Sequence, residues 1–123
     1  MEKKKTLVLG ASANPGRYSN IAIHRLRAAG HPVEAIGLRP AEVADVQVHR
    51  KDETALPEDI DTVTLYLNPT RQEEYKDMIM EVKPQRVIFN PGTENPAFER
   101  QLAEAGIQPL EACTLVMLST QQY

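Results

Sequence analysis

The sequence predicts an α/β fold: an open, doubly wound, mainly parallel sheet of five or six strands with helices on both faces. Three observations predict it. Short apolar runs alternate with segments whose apolar residues recur at helical spacing, the signature of βαβ units. The strand-like runs are mostly apolar without a break, as strands covered on both faces require. Each helix-like segment stops at Gly30, Pro84 or Gly106, residue types that end helices. A length of 123 residues with 41% hydrophobic content supplies one core, so residues 1–123 read as a single domain.

The elements follow in order. Residues 6–9 form the first strand, closed by Gly10. Ser19 and Asn20 are placed to cap a helix whose Ala22, Ile23, Leu26 and Ala29 share one face. Residues 33–38 make the second strand. Residues 46–48 alternate and predict a short edge strand, with loop as far as Pro57. Residues 61–67 form the next strand. Thr70 and Glu73 have the spacing of a capping box, ahead of Tyr75, Met78, Ile79 and Val82 on one helix face. Residues 86–89 are again strand. Asn95 caps a further helix, Pro96 suits its first turn, and Phe98, Leu102 and Ala105 form its inner face. Residues 107–110 are the last clear strand, and residues 113–118 fit either strand or helix. The order is β-α-β-β-β-α-β-α-β.

Composition removes several function classes. The net charge of −3 leaves no concentrated basic face for general nucleic-acid or anionic-membrane binding. The one basic run, Lys3-Lys4-Lys5, reads as a solvated lead-in to the first strand. Met1-Glu2-Lys3 opens charged and runs straight into strand, unlike a secretory leader. No apolar run approaches the roughly 20 residues that cross a bilayer. A single cysteine, Cys113, excludes an intrachain disulfide, and a cytoplasmic location is the expectation.

In doubly wound sheets ligands bind beyond the carboxyl ends of strands, where the winding reverses. The loop after the first strand is therefore the candidate site. It reads Gly10-Ala11-Ser12-Ala13-Asn14-Pro15-Gly16-Arg17-Tyr18-Ser19-Asn20. Gly10 and Gly16 let the backbone turn and approach a ligand. Free amides at the start of the next helix attract an anion. Ser12 and Ser19 offer hydroxyls, and Arg17 can place two hydrogen bonds on a phosphate. The loop is neither Gly-x-x-x-x-Gly-Lys-Ser/Thr nor Gly-x-Gly-x-x-Gly, because Ser12 stands where the second glycine would be. Phosphate binding and a plain strand-to-helix turn both remain open from residue types alone.

The end of the second strand supplies a separate test. An NAD site places a carboxylate there on the ribose. Here the segment is Ile36-Gly37-Leu38-Arg39-Pro40. A carboxylate would repel a ribose phosphate, whereas Arg39 attracts one. Coenzyme A and NADP, which carry such a phosphate, both survive this test, while NAD is weakened as a candidate. Arg39 as an ordinary surface residue is the plain alternative.

Gly10-Ala11-Ser12 followed by Asn14-Pro15, Arg17 and Ser19 resembles the opening of the stand-alone CoA-binding domain proteins. These are small bacterial Rossmann-like proteins, similar to the amino-terminal domain of the succinyl-CoA synthetase alpha subunit. Leu38-Arg39-Pro40, the segment 55–61, the Gly92 loop, Glu104-Ala105-Gly106 and Cys113 continue the resemblance along nearly the whole chain. It implies a Rossmann-like sheet with CoA across the first loop and the end of the second strand. Ser12, Arg17 and Ser19 would hold the pyrophosphate region, with Gly10, Ala11, Asn14, Pro15 and Tyr18 around it. Arg39 and Pro40 would border the adenosine, and Asn68 and Pro69 the opposite rim. The chain departs from the family at Arg39, where a short polar residue is usual. It departs again at Thr114, where proline is frequent, and at Asn90-Pro91-Gly92, where a glutamine is common.

No catalytic constellation stands out. His24, His31 and His49 are scattered and have no metal-ligand spacing with Cys113. Cys113 offers a nucleophile or a site for a mixed disulfide with CoA, but with no clear partner base in sequence a buried, inert thiol is the simpler reading. Glu94 and Glu99 read as first-turn helix acids or surface charges, with Glu94 as a base at the switch point the alternative. The expectation is a small CoA or acyl-CoA binding protein without its own chemistry. An NADP-dependent or other nucleotide-dependent enzyme completed by a second subunit is one alternative. An interaction protein with an empty loop is another. A homodimer or another protein partner is left open.

Overall fold

The computed structural model describes residues 2–123; Met1, part of the charged opening noted above, lies outside them. The strands are β1 (Thr6–Ala11), β2 (Val33–Gly37), β3 (Ala41–Val43), β4 (Val46–His49), β5 (Thr62–Leu65), β6 (Arg86–Phe89) and β7 (Gln108–Glu111). They form one seven-stranded sheet in the order β3-β4-β2-β1-β5-β6-β7. All pairs are parallel except β3 with β4. The winding runs outward from β1 through β2 to the β4–β3 hairpin, and outward from β5 through β6 to β7. It therefore reverses between β1 and β5, as the Rossmann-like α/β expectation requires.

Alternation along the strands builds two cores. Leu7, Leu9, Val63, Leu65, Val87 and Phe89 face one side, where Tyr75, Ile79, Phe98 and Leu102 cover them. Val8, Ala35, Val48 and Ile88 face the other side, under Ile23 and Leu26 of the first helix. The first helix, α1 (Tyr18–Ala28), and the last, α5 (Thr114–Ser119), lie on this second face. A helical run in three pieces covers the first: α2 (Pro69–Gln72), a 3-10 turn at Glu73–Tyr75, and α3 (Lys76–Val82). It is followed there by α4 (Pro96–Glu104). Helices thus flank both faces of the sheet. No described helix is long and apolar enough to cross a membrane.

Several local expectations are corrected. The sheet has seven strands rather than five or six, because residues 41–43 form the hairpin edge β3. The turn at Ala44-Asp45 uses the left-handed conformation of Ala44, with φ at 54°. β4 is therefore an inner strand rather than the edge. Asp45 receives two hydrogen bonds of 2.8 Å from Arg27, tying the hairpin to α1. Ser19 and Asn20 do not cap α1. The Asn-Pro-Gly turn, closed by Arg17 N–H donating to the Asn14 carbonyl at 3.0 Å, delivers the chain into the helix ahead of both expected caps. Arg17 holds the cap position and both expected caps fall in the first turn. Thr70 and Glu73 do not cap α2 either. Asn68, held extended before Pro69, accepts the Arg71 amide at 2.9 Å instead. Ala105 is exposed at the end of α4 rather than on its inner face, and residues 113–118 resolve as helix.

The lysine run is not simply solvated. Lys3 donates to the Ala29 carbonyl, Lys4 to the Tyr123 carbonyl, and Lys5 to the Glu58 carbonyl while pairing with Glu34 at 3.0 Å. These contacts surround a fully buried His31, whose Nδ1 accepts the Lys4 amide at 2.9 Å. Burial first, then the Lys3, Lys4 and Arg86 charges, hold the His31 imidazole below its ordinary pKa, against a smaller opposing effect of Asp61. The folded state thus keeps His31 neutral while the unfolded chain takes up a proton. Stability is expected to fall as the pH drops through about 6.5, the value for an unfolded histidine. The loss ends once the folded state also protonates. Thermal melts from pH 7.5 to 5 should show a shallower acid decline for His31→Asn than for the native chain. Equal declines would remove His31 as the cause.

Candidate functional site

The carboxyl ends of β1, β2, β5 and β6 open onto one cleft of about 710 Å³. Its position follows from the topology, since helices cannot cover the ends of strands from which chains leave in opposite directions. Gly10 to Asn14 form the floor and Arg17 to Ser19 one wall. Gly37 to Ala41 border the β2 side. Tyr66 to Asn68, Arg71 and Tyr75 form the α2 wall, and Pro91, Gly92 and Thr93 close the β6 side.

Two glycines allow this floor. A Cβ on Gly10, whose φ is +88°, would lie 2.6 Å from the Tyr66 carbonyl oxygen. A Cβ on Gly37 would lie 2.2 Å from the Ala11 carbonyl oxygen. β1 and β2 shift register at this point, between Leu9 and Ala11. The loop above is held by its own polar groups. Ser12 Oγ accepts the Asn14 amide at 3.1 Å, Asn14 Oδ1 accepts the Gly16 amide at 2.9 Å, and Asn20 Nδ2 donates to the Ser12 carbonyl at 2.9 Å. The amides of Ser12, Ala13, Tyr18 and Ser19 have no acceptor among the described residues. The positive end of α1 therefore faces the cleft with free donors.

The opposite wall is fixed by Gln72, which is fully buried. Its Nε2 donates to the carbonyls of Leu67 and Thr93, each at 2.8 Å, and its Oε1 accepts from Asn95 Nδ2 at 2.8 Å. This one side chain joins the α2 start to the β6 loop. Tyr66 borders the same wall, while its side chain packs into the second core beside Thr64 and Thr114, where burial pushes its hydroxyl up to about 12.

Electrostatics give the cleft its character. The charged residues lining it are Arg17, Arg39 and Arg71, with no carboxylate. None of the three has an acidic partner among the described residues. Nearby acids are engaged elsewhere: Glu94 accepts the Gly92 amide at 2.9 Å, and Glu73 pairs with Lys76 at 2.8 Å. A smaller hollow of about 400 Å³ also touches Gly37, Leu38 and Tyr75. There Arg50 and Lys51 stand beside Asp52 and Glu74. Arg50 pairs with Asp52 at 3.3 Å, so this hollow lacks the one-sided charge of the cleft.

Of the residues singled out from sequence, Gly10, Ala11, Ser12, Asn14, Arg17, Tyr18, Ser19, Arg39, Pro40 and Asn68 line the cleft. Pro15 and Pro69 do not. Pro15 sits at the outer corner of the turn, and Pro69 is the exposed first residue of α2. Sequence reasoning missed Arg71, Tyr75, Leu38 and Thr93. The signal for Arg71 was the Asn68-Pro69 cap, which starts a helix at the carboxyl end of β5. His24 and His49 are exposed and His31 lies under the Lys3–Lys5 segment, away from the cleft. Cys113 is half-buried beside α5 and also outside the cleft. No group of three potential metal ligands exists among the described residues.

No curated protein matches the chain. Among solved structures, an uncharacterized protein is 44% identical, with 100% of both chains covered and a TM-score of 0.95. A hypothetical protein from Pyrococcus horikoshii OT3 is 24% identical over 97% of this chain and 84% of that one, with a TM-score of 0.84. The dinucleotide-forming acetyl-coenzyme A synthetase 1 from Ca. Korarchaeum cryptofilum, in complex with phosphate and ADP, shares the fold. It is 17% identical over 89% of this chain and 25% of that one, with a TM-score of 0.70. The family description that fits the sequence itself is "CoA binding domain", matched over residues 4–119. With the cleft at the winding reversal and a family match along almost its whole length, this chain belongs to the CoA-binding domain family.

Proposed function

We propose that the chain, acting as one domain in the cytoplasm, binds CoA or an acyl-CoA in this cleft and catalyses no reaction by itself. The observation that carries the reading is the all-cationic lining of the cleft in a chain of net charge −3. The diphosphate sits on the free amides at the α1 entrance with Arg17. Ser12 and Ser19 offer hydroxyls beside it. The adenosine lies toward Arg39 and Pro40, where the guanidinium meets the 3′-phosphate. Asn68 borders the other rim. The cleft volume of about 710 Å³ is in the range that encloses a cofactor of this size. The shared fold of an acetyl-coenzyme A synthetase supports the same ligand class.

Calorimetric titration of the pure protein with CoA, dephospho-CoA and NADP tests the reading. CoA should bind tightest, dephospho-CoA more weakly, and NADP weakest. Heat from none of the three would sink it. Arg17→Ala should weaken CoA binding by about 1.5–3 kcal/mol, the range for a hydrogen bond to a charged group. Its unfolding free energy should stay within about 0.5 kcal/mol of native, because the side chain is exposed. Unchanged affinity would remove Arg17 from the site.

A further inference from the structure

The cleft holds a third arginine beyond the two assigned above to the anionic groups of CoA. With the diphosphate on the α1 entrance and Arg17, and the 3′-phosphate on Arg39, both anionic parts of CoA are matched. Arg71 is left over. It stands in the first turn of α2, half-buried, lining the cleft and without an acidic partner among the described residues. A guanidinium in the lining of a cleft, without an acid partner, is available to pair with an anionic ligand group.

The sheet order says which part of the ligand reaches this side. β1 lies between β2 on one side and β5 on the other. A ligand with its diphosphate over β1 and its adenosine over β2 must run its remaining arm toward the ends of β5 and β6. That arm carries the thiol and any acyl group. The walls there are Asn68, Arg71, Pro91, Gly92 and Thr93. The acids nearest these walls in sequence, Glu73, Glu74 and Glu94, make no ion pair with Arg71 among the described residues; Glu73 pairs with Lys76, and Glu94 accepts the Gly92 amide. Arg71 therefore faces the acyl end with its charge unanswered.

Resting on the CoA reading above, we infer that the preferred ligand is an acyl-CoA whose acyl chain ends in a carboxylate, and that Arg71 receives that carboxylate. The specificity is a charge match, added to contacts that every CoA thioester makes equally.

Calorimetry with malonyl-CoA, acetyl-CoA and free CoA, on the native chain and on Arg71→Gln and Arg71→Lys, tests this. Malonyl-CoA should bind the native chain about ten-fold tighter than acetyl-CoA, or more, as one charged hydrogen bond gives. Arg71→Gln should bring that ratio close to one, with any loss for free CoA matched by the loss for acetyl-CoA and smaller than the loss for malonyl-CoA. Arg71→Lys should keep part of the preference. Equal binding of malonyl-CoA and acetyl-CoA by the native chain overturns the inference while the CoA reading stands. An Arg71→Gln loss of the same size for all three ligands also overturns it, and assigns Arg71 to the diphosphate. Binding of none of the three overturns both.

Discussion

Gly37→Ala is expected to destabilise the fold by about 3 kcal/mol or more and to abolish CoA binding at micromolar ligand. The added Cβ would lie 2.2 Å from the Ala11 carbonyl oxygen and 3.2 Å from a Val48 methyl carbon. The first neighbour is backbone and cannot swing aside. Relief requires the end of β2 to part from β1, where the strands already shift register. That movement would carry away the cleft floor and the Leu38-Arg39-Pro40 border together. Gly92→Ala is the control. It also lines the cleft, but nothing lies within 4 Å of its Cβ, and its φ of +92° leaves only the backbone penalty of about 1 kcal/mol. Denaturant unfolding of the two variants should differ clearly. Similar losses would show that the β1–β2 approach is not what makes Gly37 necessary.

Asn90→Leu is expected to cost about 2–4 kcal/mol, from a buried network cut at its centre. Asn90 Nδ2 donates to Thr64 Oγ1 at 2.7 Å and to the Leu65 carbonyl at 2.9 Å. Its Oδ1 accepts the Thr114 amide at 2.9 Å. One side chain thus joins β5, the end of β6 and the start of α5. Leucine matches its shape but leaves the buried Thr114 amide and Leu65 carbonyl without that partner. Asn90→Gln, although glutamine is common near this position in the family, should not restore native stability, since all three contacts are set by the shorter reach. Chemical denaturation of both variants measures this. A native-like Asn90→Leu would mean that the network is satisfied by other groups.

The parts legible in the sequence were those that local chemistry decides. Residues 6–9 read as a strand covered on both faces, and Leu7 and Leu9 do face opposite to Val8. Asn95 and Pro96 read as a helix start, and Asn95 Oδ1 accepts the Phe98 amide at 3.3 Å. The first loop was recognisable because glycines, hydroxyls and an arginine precede a helix. The caps of α1 and α2 were misplaced for a local reason too: a proline turn overrode the usual serine, asparagine and threonine signals. What the sequence could not show was adjacency. Arg71 and Thr93 are 22 positions apart, yet Gln72 binds the Thr93 carbonyl and brings both to one wall. Only the crossover from β5 to β6 places them together. Edge strand β3 escaped notice because three residues carry too little periodicity.

The two borders of the sheet are both poor templates for another molecule's backbone. β3 offers only three residues and then turns back. β7 contains Pro109, which has no amide hydrogen to give. Copies of this chain meeting in solution therefore gain little by zipping their outermost strands into a continuous ribbon. Self-association of the native chain should proceed through side-chain contacts between helix faces or loops, and fibrous aggregation should require unfolding first.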